Sequence, residues 1–250
     1  MIFYIPEISK KLAELNRAIE EALSLSESRP IDQMLCRDVT ILKTCELPNK
    51  PKISSPEGQA RLIHDLASIE LQAMELALRT LYEFPKAPKQ FRIELAALVR
   101  SEASHLMLCL KTLETLRFEW GSWPVHIALW QSVSSEDSLI ERVFIVHRYL
   151  EASGLDAGEA ILLRLSGLAD KTCYEALKII VSDEINHVDF GSRWFRKFCD
   201  LEGLDPELEF FRLFRVLSKK APRKEKISSK LRRLAGFSES ELKILQTEST

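Results

Sequence analysis

Asp183-Glu184-Ile185-Asn186-His187-Val188 decides how the chain is read, because Glu184 and His187 interrupt a stripe that is otherwise apolar at helical spacing: Leu177, Ile180, Val181, Val188, Phe195 and Phe198 share one face. A carboxylate and an imidazole three residues apart on a helix project to the same side and can grip one ion. The pattern occurs twice. Glu102-Ala103-Ser104-His105 breaks a second stripe of Phe91, Leu95, Leu98, Val99, Leu106, Cys109 and Leu113. Glu70 sits in a third stripe with Ile63, Leu66, Ala67, Ala73, Met74, Ala77 and Leu81. Glu151, with His147 one turn before it, lies in a fourth that runs Ile140, Val143, Phe144 and then Ile161, Leu162 and Leu165. Glu70 precedes the first Glu-x-x-His by 32 residues and Glu151 precedes the second by 33, so the chain carries an internal repeat.

Proline placement agrees with long helices. The ten prolines leave Glu57 to Phe84, Lys89 to Trp123 and Val125 to Asp205 free of proline, and a helix interior excludes proline at a cost of about 3 kcal/mol. Ser55-Pro56-Glu57, Ser135-Glu136-Asp137 and Asp205-Pro206-Glu207 carry the capping chemistry of helix starts. A weak point is expected from Gly154 to Gly158, and a shorter helix over Ile8, Leu12, Leu15, Ile19 and Leu23. The fold expected is all-α: a four-helix bundle of two helix-pair repeats over residues 55–202. An N-terminal helical arm over 1–54 and a basic helical extension over 203–250 flank it.

Composition excludes other classes. With 46% hydrophobic and 29% charged residues and only 8 glycines in 250, the chain is neither disordered nor collagen-like, and turn-rich β sandwiches are disfavoured. Cys36, Cys45, Cys109, Cys173 and Cys199 form an odd set with no C-x-x-C pair, so buried reduced thiols are expected rather than a disulfide scaffold or a zinc ribbon. Met1 to Glu7 is too short an apolar run, and too soon broken by Pro6, for a signal peptide, and no uncharged apolar run approaches the roughly 18 residues of a membrane span. A soluble, cytoplasmic protein is expected. From Arg212 to Arg233 ten Lys/Arg stand against one Glu; this local +9 leaves −11 on the other 228 residues of a chain whose net charge is −2.

Four carboxylates on apolar stripes need positive charge nearby, since burying an unpaired one costs several kcal/mol. Di-iron and di-manganese four-helix proteins use this set, one Glu from each of two helices and one Glu-x-x-His from each of the others. Two divalent ions neutralise four carboxylates, with Glu70, Glu102, His105, Glu151, Glu184 and His187 as ligands. The mixed donors suit two iron ions, or manganese, better than zinc. A solvated i,i+3 pair is the plainer reading of any single motif, and a metal-free bundle that of the whole. His147 is a seventh ligand, a proton shuttle, a partner of Glu151 or a satisfied core histidine. His64 and His126 are read as structural. The run Glu119 to His126 either lies beside the site or forms a packed aromatic crossover.

Taken together, these residues resemble the ferritin-like superfamily and, within it, the bacterial ferritin-like family known as domain of unknown function four-five-five. The matching pieces are Ile69 to Ala77, Pro124-Val125-His126, His147 to Ala152 with Gly154-Leu155-Asp156, and Asp183 to Val188 with Gly191 and Trp194-Phe195. Ser68 and Ser153 stand where that family is expected to carry His and Arg. The resemblance implies the bundle, the metal ligands, and a hydrogen bond that His105 of the opposite motif donates to Asp183.

Three functions follow from such a site. One is an oxygen-activating, monooxygenase-like oxidoreductase that hydroxylates or oxidises a small organic substrate with O2 and an electron donor. The second is a ferroxidase or iron-handling protein, and the third a metal-stabilised interaction module. Within the first, the chain is also similar in length and ligand order to the ferritin-like tRNA hydroxylase family. The basic segment Arg212 to Arg233 would then meet RNA, where a solvated face is the plainer reading.

Overall fold

The computed structural model describes residues 1–31, 34–220 and 226–247. The described residues are helical, with no strand; one isolated parallel bridge joins Ile41 and Val125. No helix among them is long and apolar enough to cross a membrane. The chain divides into two compact units, Met1–Ser135 and Glu136–Thr250. One Glu helix and one Glu-x-x-His helix fall in each.

The first unit contains α1 (Ile8–Ser24), α2 (Pro56–Glu83) and α3 (Lys89–Thr115). Ser55 caps α2, its Oγ accepting from the Gly58 amide at 3.1 Å, and Pro56 takes the first helical position, where no donor is needed. The apolar residues expected on α3 are all buried. On α2 the burial is wider than one stripe: every residue from Glu70 to Glu83 is buried. The Tyr82 hydroxyl donates to the Ala18 carbonyl at 3.1 Å, and Gln72 Oε1 accepts from the Trp130 amide at 3.3 Å, so neighbours cover α2 on sides that a two-faced helix leaves to water.

Charged side chains on so enclosed a helix need partners inside the protein. Glu75 accepts from Lys11 Nζ at 2.7 Å and from both terminal nitrogens of Arg37, one at 2.9 Å. Lys11 also donates to the carbonyls of Ile2 and Phe3. Burial pushes the Lys11 ammonium below its ordinary range, against the pull of Glu75. Arg79 donates to Glu83 at 2.9 Å and lies over the Trp130 ring.

His64 and His126 do structural work. The His64 ring is buried, stacks on Trp120 with centroids 4.9 Å apart, and meets Trp123 edge-on. Its Nε2 accepts from the Gly121 amide at 3.2 Å, where a φ of +96° calls for glycine. His126 Nδ1 accepts from the Ala128 amide, and its carbonyl accepts from Gln72. The run Glu119 to His126 is thus a packed aromatic crossover. Burial holds the His64 imidazole down to about 4. Between that value and the ordinary 6.5 the unfolded chain takes up a proton that the folded one refuses, so this stability is present above pH 6.5 and lost as pH falls to 4. The expected size is about 3 kcal/mol. Urea unfolding at pH 7 and pH 4 should show that much less acid sensitivity in His64→Phe than in wild type; parallel pH curves would refute it.

In the second unit Ser138, not Ser135, starts the helix. Its Oγ accepts from the Glu141 amide while the Glu141 carboxylate accepts from the Ser138 amide, a reciprocal cap one turn later than expected. From there α4 (Leu139–Val143), a π-helical turn (Phe144–Leu150) and α5 (Glu151–Ser166) follow without a break. The Glu151 amide reaches back five residues to the Val146 carbonyl. The irregularity is therefore this wider turn, and Gly154 to Gly158, the expected weak point, is regular helix. Ile161 and Leu162 are only half-buried.

α6 (Thr172–Glu202) buries its expected stripe and ends at Gly203, whose φ of +68° is left-handed. Asp205 caps α7 (Pro206–Lys220), and α8 (Ser229–Leu234) and α9 (Glu239–Thr247) follow. All five cysteines are free thiols. Cys109, Cys173 and Cys199 are buried as expected, Cys36 is half-buried and Cys45 is exposed. Burial pushes the Cys173 and Cys199 thiols up to about 12.

Candidate metal centre

In the first unit, the short link Phe84 to Pro88 folds α3 back along α2, which sets Glu70 against the Glu102 and His105 turn. All three side chains are buried, Glu102 completely. His105 Nδ1 lies 3.4 Å from Glu70 Oε2 and 3.6 Å from Glu102 Oε2.

The second unit repeats this with a variation. His187 Nδ1 lies 3.0 Å from Glu184 Oε1, with His187 buried and Glu184 half-buried. Close packing sets the register of α6 on the preceding helix: a Cβ on Gly191 would fall under 3.0 Å from the His147 Cβ, and one on Gly158 equally close to Val181 Cγ2. Numbers that pair across these contacts add to 338 or 339. Glu151 is therefore level with His187 and Val188, the counterpart of Glu70 beside His105. Both Glu151 and His147 are buried, and His147 Nδ1 lies 2.8 Å from Glu151 Oε1. A carboxylate only accepts, so Nδ1 is the donor here, which in the one-proton form of the ring leaves the lone pair on Nε2. That Nε2 is buried with no hydrogen-bond partner among the described residues, beside the edge of Phe190. Asp183, the residue before Glu184, is exposed.

Gly191 is where α6 comes closest to this turn, and an added methyl must displace His147. Gly191→Ala is expected to cost about 1–3 kcal/mol by overpacking. Urea unfolding measures it, and a loss below 0.5 kcal/mol would contradict the close approach.

Two ion pairs of the second unit went unread in the sequence. Arg148 meets Glu241 through two bonds of 2.8 Å, and Arg232 meets Asp156 with its shortest bond at 2.6 Å. All four side chains are buried. Only Arg148, within Phe144 to Leu150, interrupts an apolar run; Asp156, Arg232 and Glu241 stand in none. The basic segment is correspondingly less open than its sequence: Arg232 is enclosed, Arg212 pairs with Glu209 and Glu141, and Arg233 with Glu239. Arg215, Lys219, Lys226 and Lys230 are exposed. Arg223, Lys224 and the side chain of Lys220 lie outside the described residues.

A family model described as "Protein of unknown function (DUF455)" matches residues 6–243. The chain belongs to this family. All six acid and histidine positions fall inside the matched span. A protein of Haemophilus influenzae, named "Uncharacterized protein", is 30% identical to this DUF455 chain over 213 residues, covering 80% of this chain and 73% of its own length. No solved structure matches the chain.

Proposed function

We propose that Glu70, Glu102, His105, Glu151, Glu184 and His187 bind two divalent transition-metal ions, iron or manganese, within a ferritin-like bundle, and that the protein is an oxygen-activating oxidoreductase acting on a small organic substrate. The observation that carries this reading is the buried Glu70, Glu102 and His105 cluster, with its repeat in Glu151, Glu184 and His187. Each of Glu102, His105, Glu184 and His187 offers a ligand atom. Buried carboxylates favour a divalent cation, and mixed oxygen and imidazole donors suit iron or manganese. Such ions supply the electrons that reduce O2.

The chain's own groups do the rest. His147 Nδ1 orients Glu151, and its Nε2 can accept a proton inside the protein. A π-helical turn at this point supports a functional reading, since such turns concentrate at functional sites. A small molecule is favoured over RNA because the basic segment Arg212 to Arg233 has no Trp or Tyr among its cations on which bases could stack.

Metal analysis of protein purified without added metal is expected to find two iron or manganese ions per chain. O2 consumption should then depend on a small organic substrate and not on tRNA. Protein that takes up neither metal after incubation with Fe2+ or Mn2+ would overturn the reading.

A further inference from the structure

The helices after the basic segment also contact the stretch that carries Glu151. Arg148, three residues before Glu151, gives both terminal guanidinium nitrogens to Glu241 on α9. Its guanidinium carbon sits 5.0 Å from the Phe195 ring centre, 5.0 Å from Phe210 and 4.5 Å from Phe237. Glu241 is fixed in turn, accepting from the Ser238 amide at 2.8 Å. Asp156, five residues after Glu151, accepts from Arg232 on α8 and from the Ser228 amide at 2.8 Å. The same guanidinium donates to the carbonyl of Ala152, the residue next to Glu151, at 3.1 Å. Ser192 Oγ donates to the Ala235 carbonyl at 2.7 Å, tying this segment to α6 one residue from Gly191. Two enclosed ion pairs and a backbone bond thus bracket the turn that carries His147 and Glu151.

A π-helical turn has poorer intrinsic geometry than α-helix and persists where its surroundings hold it. Here the surroundings are Gly191 of α6 together with α8 and α9. We propose that α8 and α9 form a positioning element of the metal site, with Arg148, Asp156, Arg232 and Glu241 as positioning residues that keep Glu151 and His147 in ligating geometry. This rests on the metal reading of Glu151. Linkage then runs both ways: whatever the docked segment adds to metal affinity, bound metal adds to the docking of the segment.

Two measurements with Co2+ as the probe test it. The first is amide hydrogen exchange of wild type, in which Co2+ is expected to slow exchange across residues 228–247. The second is Co2+ titration, read by visible absorption, of the double variant Arg148→Met/Glu241→Leu, which keeps the volume of the pair without its charges and so is expected to stay folded. Affinity should fall about 10- to 100-fold, the usual loss when an outer partner of a ligand is removed, and the Co2+ spectrum should change. Glu241→Gln provides the same readout should the double variant fail to fold. Unchanged exchange in a wild type that does bind Co2+, or wild-type affinity and spectrum in a folded variant, would overturn the positioning role alone. A wild type that binds no Co2+ would overturn the metal reading and the coupling with it.

Discussion

The triple variant Glu70→Leu/Glu102→Leu/His105→Leu is expected to abolish stoichiometric metal uptake and yet make the metal-free protein more stable. Glu102 is fully buried, close to the imidazole that Glu70 also approaches. Without metal, keeping these carboxylates out of water is unfavourable, and apolar replacement of buried ionic groups is often neutral or stabilising by about 1–4 kcal/mol. With metal present the order reverses. Wild type gains about 4 kcal/mol at a free metal concentration a thousand times the dissociation constant, and the variant gains nothing. Urea unfolding with and without Mn2+ reads both effects. A variant that still binds two ions, or whose metal-free form is several kcal/mol weaker, would show that the Glu70, Glu102 and His105 cluster is structural instead.

Glu75→Ala should be among the most damaging single changes in the first unit, with a loss of about 3–5 kcal/mol. It removes the shared partner of Lys11 and Arg37 and leaves two cationic side chains, each at most 1% exposed, facing one another. Such a loss is comparable to the whole net stability of a typical domain. Lys11→Met/Arg37→Met/Glu75→Leu should recover most of it, because a cluster made apolar needs no partner. Equilibrium unfolding of the three proteins decides the matter: a single variant within 1 kcal/mol of wild type would mean that water reaches the cluster.

The apolar stripes of α3 and α6 are legible from spacing alone because each helix has one wet face and one dry face. The Glu70, Glu102 and His105 cluster is legible for a related reason, since a polar residue on a dry face stands out against its neighbours. The central stretch of α2 is not. Gln72, Glu75, Arg79, Thr80 and Glu83 make it look two-faced, and only tertiary partners show that both faces are inside. Arg148 with Glu241 and Asp156 with Arg232 were hidden differently, their members being 93 and 76 residues apart with no shared pattern. The helix start at Ser138 is hard to read because Ser134 and Ser138 both have an acid three residues on, Asp137 and Glu141, and Ser135 is followed directly by two acids. Local periodicity carries information about faces, and it carries none about pairing at a distance.

The turn at Phe144–Leu150 also sets a phase. A five-residue closure holds one more residue than a four-residue one, and each residue of an α-helix advances it by about 100°. Closed as ordinary helix with no residue lost, the same stretch would advance by about 100° more. Everything on one side would then rotate by about a quarter turn relative to the other. Ile140, Val143 and Phe144, all buried, could not stay on the interior side together with Glu151, Ala152 and Leu155. One extra residue taken up in the wider turn thus works as an angular gear between two stretches of the same helix, so this segment should bear the loss of one residue far better than the gain of one.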